Sequence, residues 1–284
     1  MKTFSKSPKE VPYKTIGCPV CGGERFEDRW ALDGFGFSRC KTCGLVLQNP
    51  QPQSAELLQR YDREYFDYEI QNEENFFQLM VLGLKDIGFF EHVEYPLLES
   101  SAGSCFLDIG CATGKLLSFL KGRGWRTKGI EVCPPAAQFA REERNLDVFI
   151  GTLEDAALED ASCDVVHASH LIEHLNRPDE FVKETFRVLK SDGRLFITTP
   201  NISGMQARLF GGQWRSAIAD HMFLFSRKTL TSLLEKYGFR VEKSATWGGI
   251  AAGMAPKPVK QFADWLVKQT GWGDVMILQA CKKT

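Results

Sequence analysis

Three sets of residues in this chain have the types and the spacing to do chemistry. Cys18-Pro19-Val20-Cys21 and Cys40-Lys41-Thr42-Cys43 form two C-x-x-C pairs with 18 residues between them. Such a turn aims two thiolates at one ion, and the glycine after each pair, Gly22 or Gly44, allows the tight backbone. The spacing suits a zinc site closed by four thiolates, structural because no position is left open. Paired redox thiols are the rival reading. The second set is Asp108, the glycine turn Gly110-Cys111-Ala112-Thr113-Gly114, and Glu131 beyond it. A carboxylate at a strand end suits a cationic amine and repels phosphate. An acid about 20 residues further on is placed to accept from ribose hydroxyls. The turn is not G-x-G-x-x-G, since residue 112 is alanine. Nor is it a phosphate loop, since Gly114-Lys115 is followed by Leu116. The third set is His167, His170, His174 and His221. His170-Leu171-Ile172-Glu173-His174 fits the H-x-x-E-H pattern of some zinc hydrolases. Asn176-Arg177-Pro178 follows at once and would cut short the helix that this pattern requires.

These groups need elements to hold them. Phe26, Trp30, Phe35 and Phe37 around Asp33-Gly34 predict a strand–turn–strand between the cysteine pairs. A ribbon this small buries little apolar surface, so a metal would supply much of its folding energy. Asn49-Pro50-Gln51-Pro52 ends it. Ser54 is then predicted to cap a helix through Leu57, Leu58, Tyr61 and Tyr65, with a second helix over residues 75–84. The aromatics here, Tyr61, Tyr65, Phe66, Tyr68, Phe76 and Phe77, read as packing or as a lid. From residue 104, short apolar strands at 105–109, 127–130, 148–150 and 164–168 alternate with helices, the pattern of a doubly wound, mostly parallel α/β sheet. Ligands bind such sheets at the carboxyl ends of the strands, where Gly110, Glu131 and the histidines would lie. The organisation read from this is a ribbon at 1–50, a helical spacer or lid at 51–100, and an α/β domain at 101–284.

The chain has 284 residues, 43% of them hydrophobic and 25% charged, enough for one large domain and a small appendage. A net charge of −1 argues against holding nucleic acid by bulk electrostatics. Twelve per cent aromatics exclude a disordered chain. The first 17 residues lack the apolar core of a signal peptide, and no apolar run approaches ~18 residues. A cytoplasmic protein with reduced thiols is expected, and Cys105, Cys111, Cys133, Cys163 and Cys281 read as small buried hydrophobes.

Residues 107–114 resemble the first motif of class I S-adenosylmethionine-dependent methyltransferases. Further matches follow in order: Gly129-Ile130-Glu131, then Gly151-Thr152-Leu153-Glu154-Asp155, then Ile172-Glu173-His174-Leu175 with residues 187–195, and Thr199-Pro200-Asn201. The similarity covers about two thirds of the chain and is greatest to the branch of ubiquinone-type and sugar methyltransferases. Many members of that branch also carry a cysteine ribbon ending as Cys43-Gly44-Leu45-Val46 does. The resemblance implies the class I fold with a seven-stranded sheet and S-adenosyl-L-methionine as cofactor. Gly110, Cys111 and Gly114 would line its methionine portion, with Asp108 near the amino group. Glu131 would take the ribose, and Thr152 and Leu153 would flank the adenine, although relatives often have aspartate in place of Thr152.

On the acceptor side, residues 219–226 resemble the acid-His-x-x-x-Phe-Ser segment of sugar methyltransferases. This implies His221 as general base beside Asp220, with His174 as a second catalytic histidine or an orienting one. Ile218 stands where those enzymes often have tyrosine. Ubiquinone-type relatives imply a further option, a divalent ion at His170, Glu173 and His174. The expected acceptor is a hydroxyl on a sugar or secondary-metabolite scaffold. An RNA methyltransferase using the ribbon is one alternative; a non-catalytic binding module is another. RNA is disfavoured because residues 1–50 hold eight Lys or Arg against five acids without a clustered stripe. Residues 201–225 and 247–272 would cover the acceptor, with Met205, Phe210, Trp214, Met222 and Phe223 forming an apolar cavity. Val259, Phe262, Trp265 and Leu266 predict an amphipathic helix, packed on the final strand, closing as a lid or meeting a lipid-linked substrate.

Overall fold

A computed structural model describes residues 13–52, 61–100, 103–249 and 256–283. The N-terminal strands are β1 (Tyr13–Lys14), β2 (Phe26–Leu32), β3 (Phe35–Cys40), β4 (Val46–Leu47) and β5 (Gln51–Pro52). A long helix, α1 (Arg63–Asp86), follows, then a π-turn at Phe90–Glu94 and α2 (Tyr95–Ser100). The α/β portion runs β6 (Cys105–Ile109), α3 (Lys115–Lys121), β7 (Arg126–Glu131), α4 (Pro134–Glu142), β8 (Val148–Ile150), β9 (Cys163–Ser169), α5 (Pro178–Val188) and β10 (Leu189–Pro200). It ends with α6 (Met205–Phe210), β11 (Phe223–Leu224), α7 (Arg227–Lys236), β12 (Phe239–Trp247), α8 (Lys257–Thr270) and β13 (Val275–Lys282).

Seven strands form the main sheet in the order β12-β13-β10-β9-β6-β7-β8. The five from β10 to β8 are parallel, and β13 inserts antiparallel between β10 and β12. The order in which successive strands are added to the sheet reverses between β6 and β9, which makes their carboxyl ends the switch point where such sheets bind ligands. The parallel strands are buried on both faces, as continuous apolar runs such as Cys105–Ile109 require. One face packs α5 and α7 through Phe181, Val182, Leu230 and Leu233. The other packs the end of α1 and α3 through Leu84, Phe89, Leu116 and Leu117.

The ribbon is joined to this body. Strands β2, β3 and β4 form a four-stranded sheet with β11, Leu47 pairing with Phe223 and Val46 with Leu224. Cys18, Val20, Leu45 and Leu47 share one core with Met222, Phe223 and Phe225.

The expected strands stand where the sequence places them, and α7 is capped by Ser226 in a capping box with Thr229. The spacer differs. Ser54, Leu57 and Leu58, and with them the start of the first expected helix, lie outside the described residues. Tyr65 and the expected 75–84 helix fall on one helix, α1, capped by Asp62, whose carboxylate accepts from Glu64 and Tyr65 N–H. Tyr61 therefore precedes the helix. Trp214, Met222 and Phe223 are spent on core packing instead of lining a cavity, and the Trp214 indole donates to Asp274. The apolar stripe of α8 turns outward: Phe262 is 62% and Trp265 56% exposed, so the helix does not pack by that stripe on the final strand. No helix among the described residues is long and apolar enough to cross a membrane.

Candidate functional site

The turn after β6 is shaped by backbone needs that glycine alone meets. Gly114 has φ +75°, and a Cβ there would sit 2.5 Å from Leu146 and 3.0 Å from Ala140. Gly110 has φ +73°, and its N–H donates to Ile130 O at 2.8 Å, tying the turn to the next strand. The Cys111 side chain is buried behind the loop toward Gly129, so it offers only its backbone to a ligand. Burial pushes its thiol well up, with Glu131 and Asp108 adding to the shift.

Glu131 closes the loop from the end of β7. Its two oxygens accept from Ala112 N–H and Cys133 N–H, each at 2.8 Å. Burial raises its pKa against these donors, which pull it down. Each oxygen keeps further lone-pair capacity for ribose hydroxyls. Asp108 is buried beneath the loop, and His167 Nδ1 on β9 lies 2.7 Å from it across the strand register. One Asp108 oxygen is thus committed within the protein. Thr152 bonds Asp155 through its hydroxyl at 2.8 Å. Leu153 is buried in the core beside this turn.

Helix α1 crosses the same pocket with residues that sequence reading did not single out as functional. Glu73 pairs with Arg144 at 2.7 Å and Lys115 at 3.4 Å and accepts from the Thr113 hydroxyl. Glu74 pairs with Lys115 at 2.6 Å. Tyr65 is half-buried, and desolvation, with the charges of Glu69 and Glu131, carries its phenol well above its ordinary range. Burial and the Glu131 charge push Glu69 up to about 7, partly offset by a hydrogen bond from Tyr65 and by His170. The signal was the spacing: 65, 69 and 73 are successive i, i+4 positions on one helix face.

Across the switch point, Ile172–His174 forms a single 3-10 turn, which removes the helix an H-x-x-E-H hydrolase site needs. Glu173 is buried; it is held by the Thr199 hydroxyl at 2.9 Å and by His170 Nδ1 at 3.1 Å. Burial would raise its pKa, but the hydrogen bond and charge of His170, with His174 and His221, win and hold it at about 2. His174 Nδ1 donates to Asp220 O at 2.9 Å, and His221 Nδ1 to Ser216 O at 2.8 Å. These bonds select the tautomer whose lone pair is on Nε2 in both rings. The rings meet edge-on with centroids 4.7 Å apart. Burial and then His174 lower His221 to about 3, so it rests neutral. Ligand atoms of Glu173, His174 and His221 lie within 4.8 Å of one another. This gathering differs from the 170/173/174 set: His221 completes it, while His170, half-exposed at φ 52°, flanks it. Asp220 holds His174 through its backbone carbonyl.

In the ribbon, Cys18, Cys21, Cys40 and Cys43 bring their sulfurs within 4.8 Å, with Cys18–Cys43 at 3.4 Å and Cys21–Cys40 at 3.6 Å. A tetrahedral ion with bonds of ~2.3 Å sets sulfurs ~3.8 Å apart, so the donor set fits zinc. Desolvation would raise Cys40, but backbone N–H groups of Cys43 and Thr42 outweigh it and bring the thiol to about 7.

The methyltransferase domain family matches residues 89–244, more than half of the chain. The chain belongs to this methyltransferase family. The chain is 29% identical over 180 residues to the mitochondrial ubiquinone biosynthesis O-methyltransferase of Rattus norvegicus, covering 58% of this chain and 50% of that protein. It is 32% identical over 123 residues to the ubiquinone biosynthesis O-methyltransferase of Idiomarina loihiensis, covering 40% and 48%. The chain thus spans about half the length of these relatives. Among solved structures, an S-adenosylmethionine-dependent methyltransferase of Thermotoga maritima superposes with TM-score 0.54 at 22% identity, covering 77% of this chain and 98% of that one. A chain from the complex of the Haloferax volcanii Trm112 methyltransferase activator with a methyltransferase gives TM-score 0.58 at 16% identity, covering 77% and 95%. Both show the class I methyltransferase fold for this chain.

Proposed function

We propose that this protein transfers the methyl group of S-adenosylmethionine to a hydroxyl of a small molecule, a sugar, phenol or secondary-metabolite scaffold. The observation that carries the reading is the pairing, at one switch point, of the 110–114 loop and Glu131 with the Glu173–His174–His221 group. When bound, the cofactor supplies an electrophilic methyl on a cationic sulfur. The residues of this chain do the rest. Gly110, Cys111 and Gly114 offer backbone to the amino-acid end, Asp108 its charge, and Glu131 its remaining lone pairs to the ribose. Thr152 and Leu153 border the adenine side. The carboxylates of Glu131, Glu69 and Glu73 make the pocket acidic, which suits a cation. His221, with its lone pair on Nε2, accepts the acceptor's proton as the C–S bond breaks and the C–O bond forms. The Glu173 carboxylate beside it stabilises the resulting imidazolium against the burial that keeps the resting ring neutral. His174 orients it, and the Asp220 carbonyl fixes His174.

One observation favours a second route for the same proton. Both imidazoles donate Nδ1 to backbone carbonyls, the outer-sphere arrangement that orients metal ligands. Glu173, His174 and His221 could therefore hold a divalent ion that acidifies the acceptor hydroxyl. In the ribbon, the four cysteines are proposed to hold one structural zinc.

Nucleotide sugars, phenols and quinone precursors screened with labelled cofactor test the acceptor class. On the best acceptor, His221→Ala should lower turnover by about 10²-fold with cofactor affinity unchanged. Unchanged turnover removes His221 from the reaction. Loss of turnover on chelation, with restoration by added Mg²⁺, selects the metal route.

A further inference from the structure

The segment between α6 and β11 ends in the buried His221 and Met222, where its carbonyls need donors. Those donors come from elsewhere. Ala219 O and His221 O both accept from the side chain of Gln48, at 2.9 and 2.8 Å, and Met222 O accepts from Gln48 N–H at 2.9 Å. Asp220 O accepts from His174, and Met222 N–H donates to Glu173 O at 2.7 Å. Gln48 is itself 2% exposed and directly follows β4, the ribbon strand that pairs with β11. One ribbon side chain therefore satisfies the carbonyls on both sides of Asp220, and one of them belongs to His221.

We propose that Gln48 is a positioning residue for His221, so that the ribbon is part of the acceptor side of the active site and not an appended binding module. A primary amide at this position donates two hydrogens from one nitrogen to carbonyls two residues apart in sequence without burying a charge. Leucine or methionine would fill the volume and leave both carbonyls without donors. The segment from Ser216, whose carbonyl fixes the imidazole, to Met222 would then relax, and the Nδ1–H bond of His221 with it. The consequence for catalysis rests on the proposed role of His221, since misplacement of about 1 Å is enough to cost about 10²-fold in rate.

The test needs no acceptor, so it stands or falls apart from that role. Full-length, zinc-loaded protein labelled with ¹⁵N-histidine gives the His221 Nδ1–H resonance, identified by its loss in His221→Ala. In Gln48→Leu this resonance should shift, and its hydrogen exchange should quicken by about ten-fold or more, the scale of losing buried hydrogen bonds. Gln48→Met, close in shape to glutamine, should do the same and serves if the leucine variant folds poorly. Lys236→Ala is the control: it removes another ribbon-to-body contact, the bond from Lys236 to Pro19 O, far from the histidines. It should leave the resonance in place. An unmoved signal in both Gln48 variants overturns the proposal, and so does an equal change in Lys236→Ala, which would reduce the effect to general loosening.

Discussion

Glu69 hangs from α1 into a pocket that already holds the buried carboxylate of Glu131, with Tyr65, His170 and Glu73 as its other charged or titratable neighbours. Its pKa of about 7 lies above the ordinary 4.5, so the native state holds an extra proton between those values. Stability should therefore fall as pH rises through that window. Glu69→Gln removes the penalty and should gain about 1–2 kcal/mol over wild type at pH 8, and little at pH 4.5, in urea denaturation. Parallel profiles for the two proteins would contradict this. A cation in the pocket has the opposite effect and pulls Glu69 toward ionisation. S-adenosylmethionine binding near pH 7 should thus release protons, measured by calorimetry in buffers of different ionisation enthalpy, and Glu69→Gln should abolish most of the release.

At the scale of elements, the loop after β6 and the ribbon make separate demands. Gly114→Ala forces φ +75° on a residue with a Cβ and drives that atom against Leu146 and Ala140. A loss of at least about 2 kcal/mol in thermal or chemical unfolding is expected. The ribbon should contain one equivalent of zinc when purified without chelator, and its absence by elemental analysis would refute the site. Cys40→Ser should lose the metal. Because β4 pairs with β11, the damage should spread to the His221 segment while the Cys105–Ile109 strand region stays protected from hydrogen exchange. Much of this was legible beforehand. The cysteine pairs, the glycine turn and the strand ends are local patterns, and local patterns survive into structure. The spacer helix was less so: it runs unbroken from Arg63 to Asp86 behind an Asp62 cap, where the pattern marked residues 75–84.

For the whole molecule, what stayed illegible is what depends on distance along the chain. His221 and not His170 joins Glu173 and His174, a choice made by the fold of a segment 47 residues beyond His174. Gln48 looks like an ordinary ribbon residue until β11 is seen beside β4. The periodicity of α8 gives an apolar stripe but says nothing of which way it faces, and it faces out. Conversely, Trp214, Met222 and Phe223 have the composition of a cavity wall and are core. The two halves of the site, cofactor loop and histidines, meet because β6 and β9 are neighbours at the switch point. The account therefore rests on one claim: the 110–114 loop and Glu131 hold S-adenosylmethionine in front of the histidines. Calorimetry with S-adenosylhomocysteine tests it most directly. One site per chain is predicted, weakened in Glu131→Ala by about 1–3 kcal/mol, the scale of losing hydrogen bonds to a charged group. No heat at millimolar ligand with the wild-type protein, or equal affinity in Glu131→Ala, would contradict it.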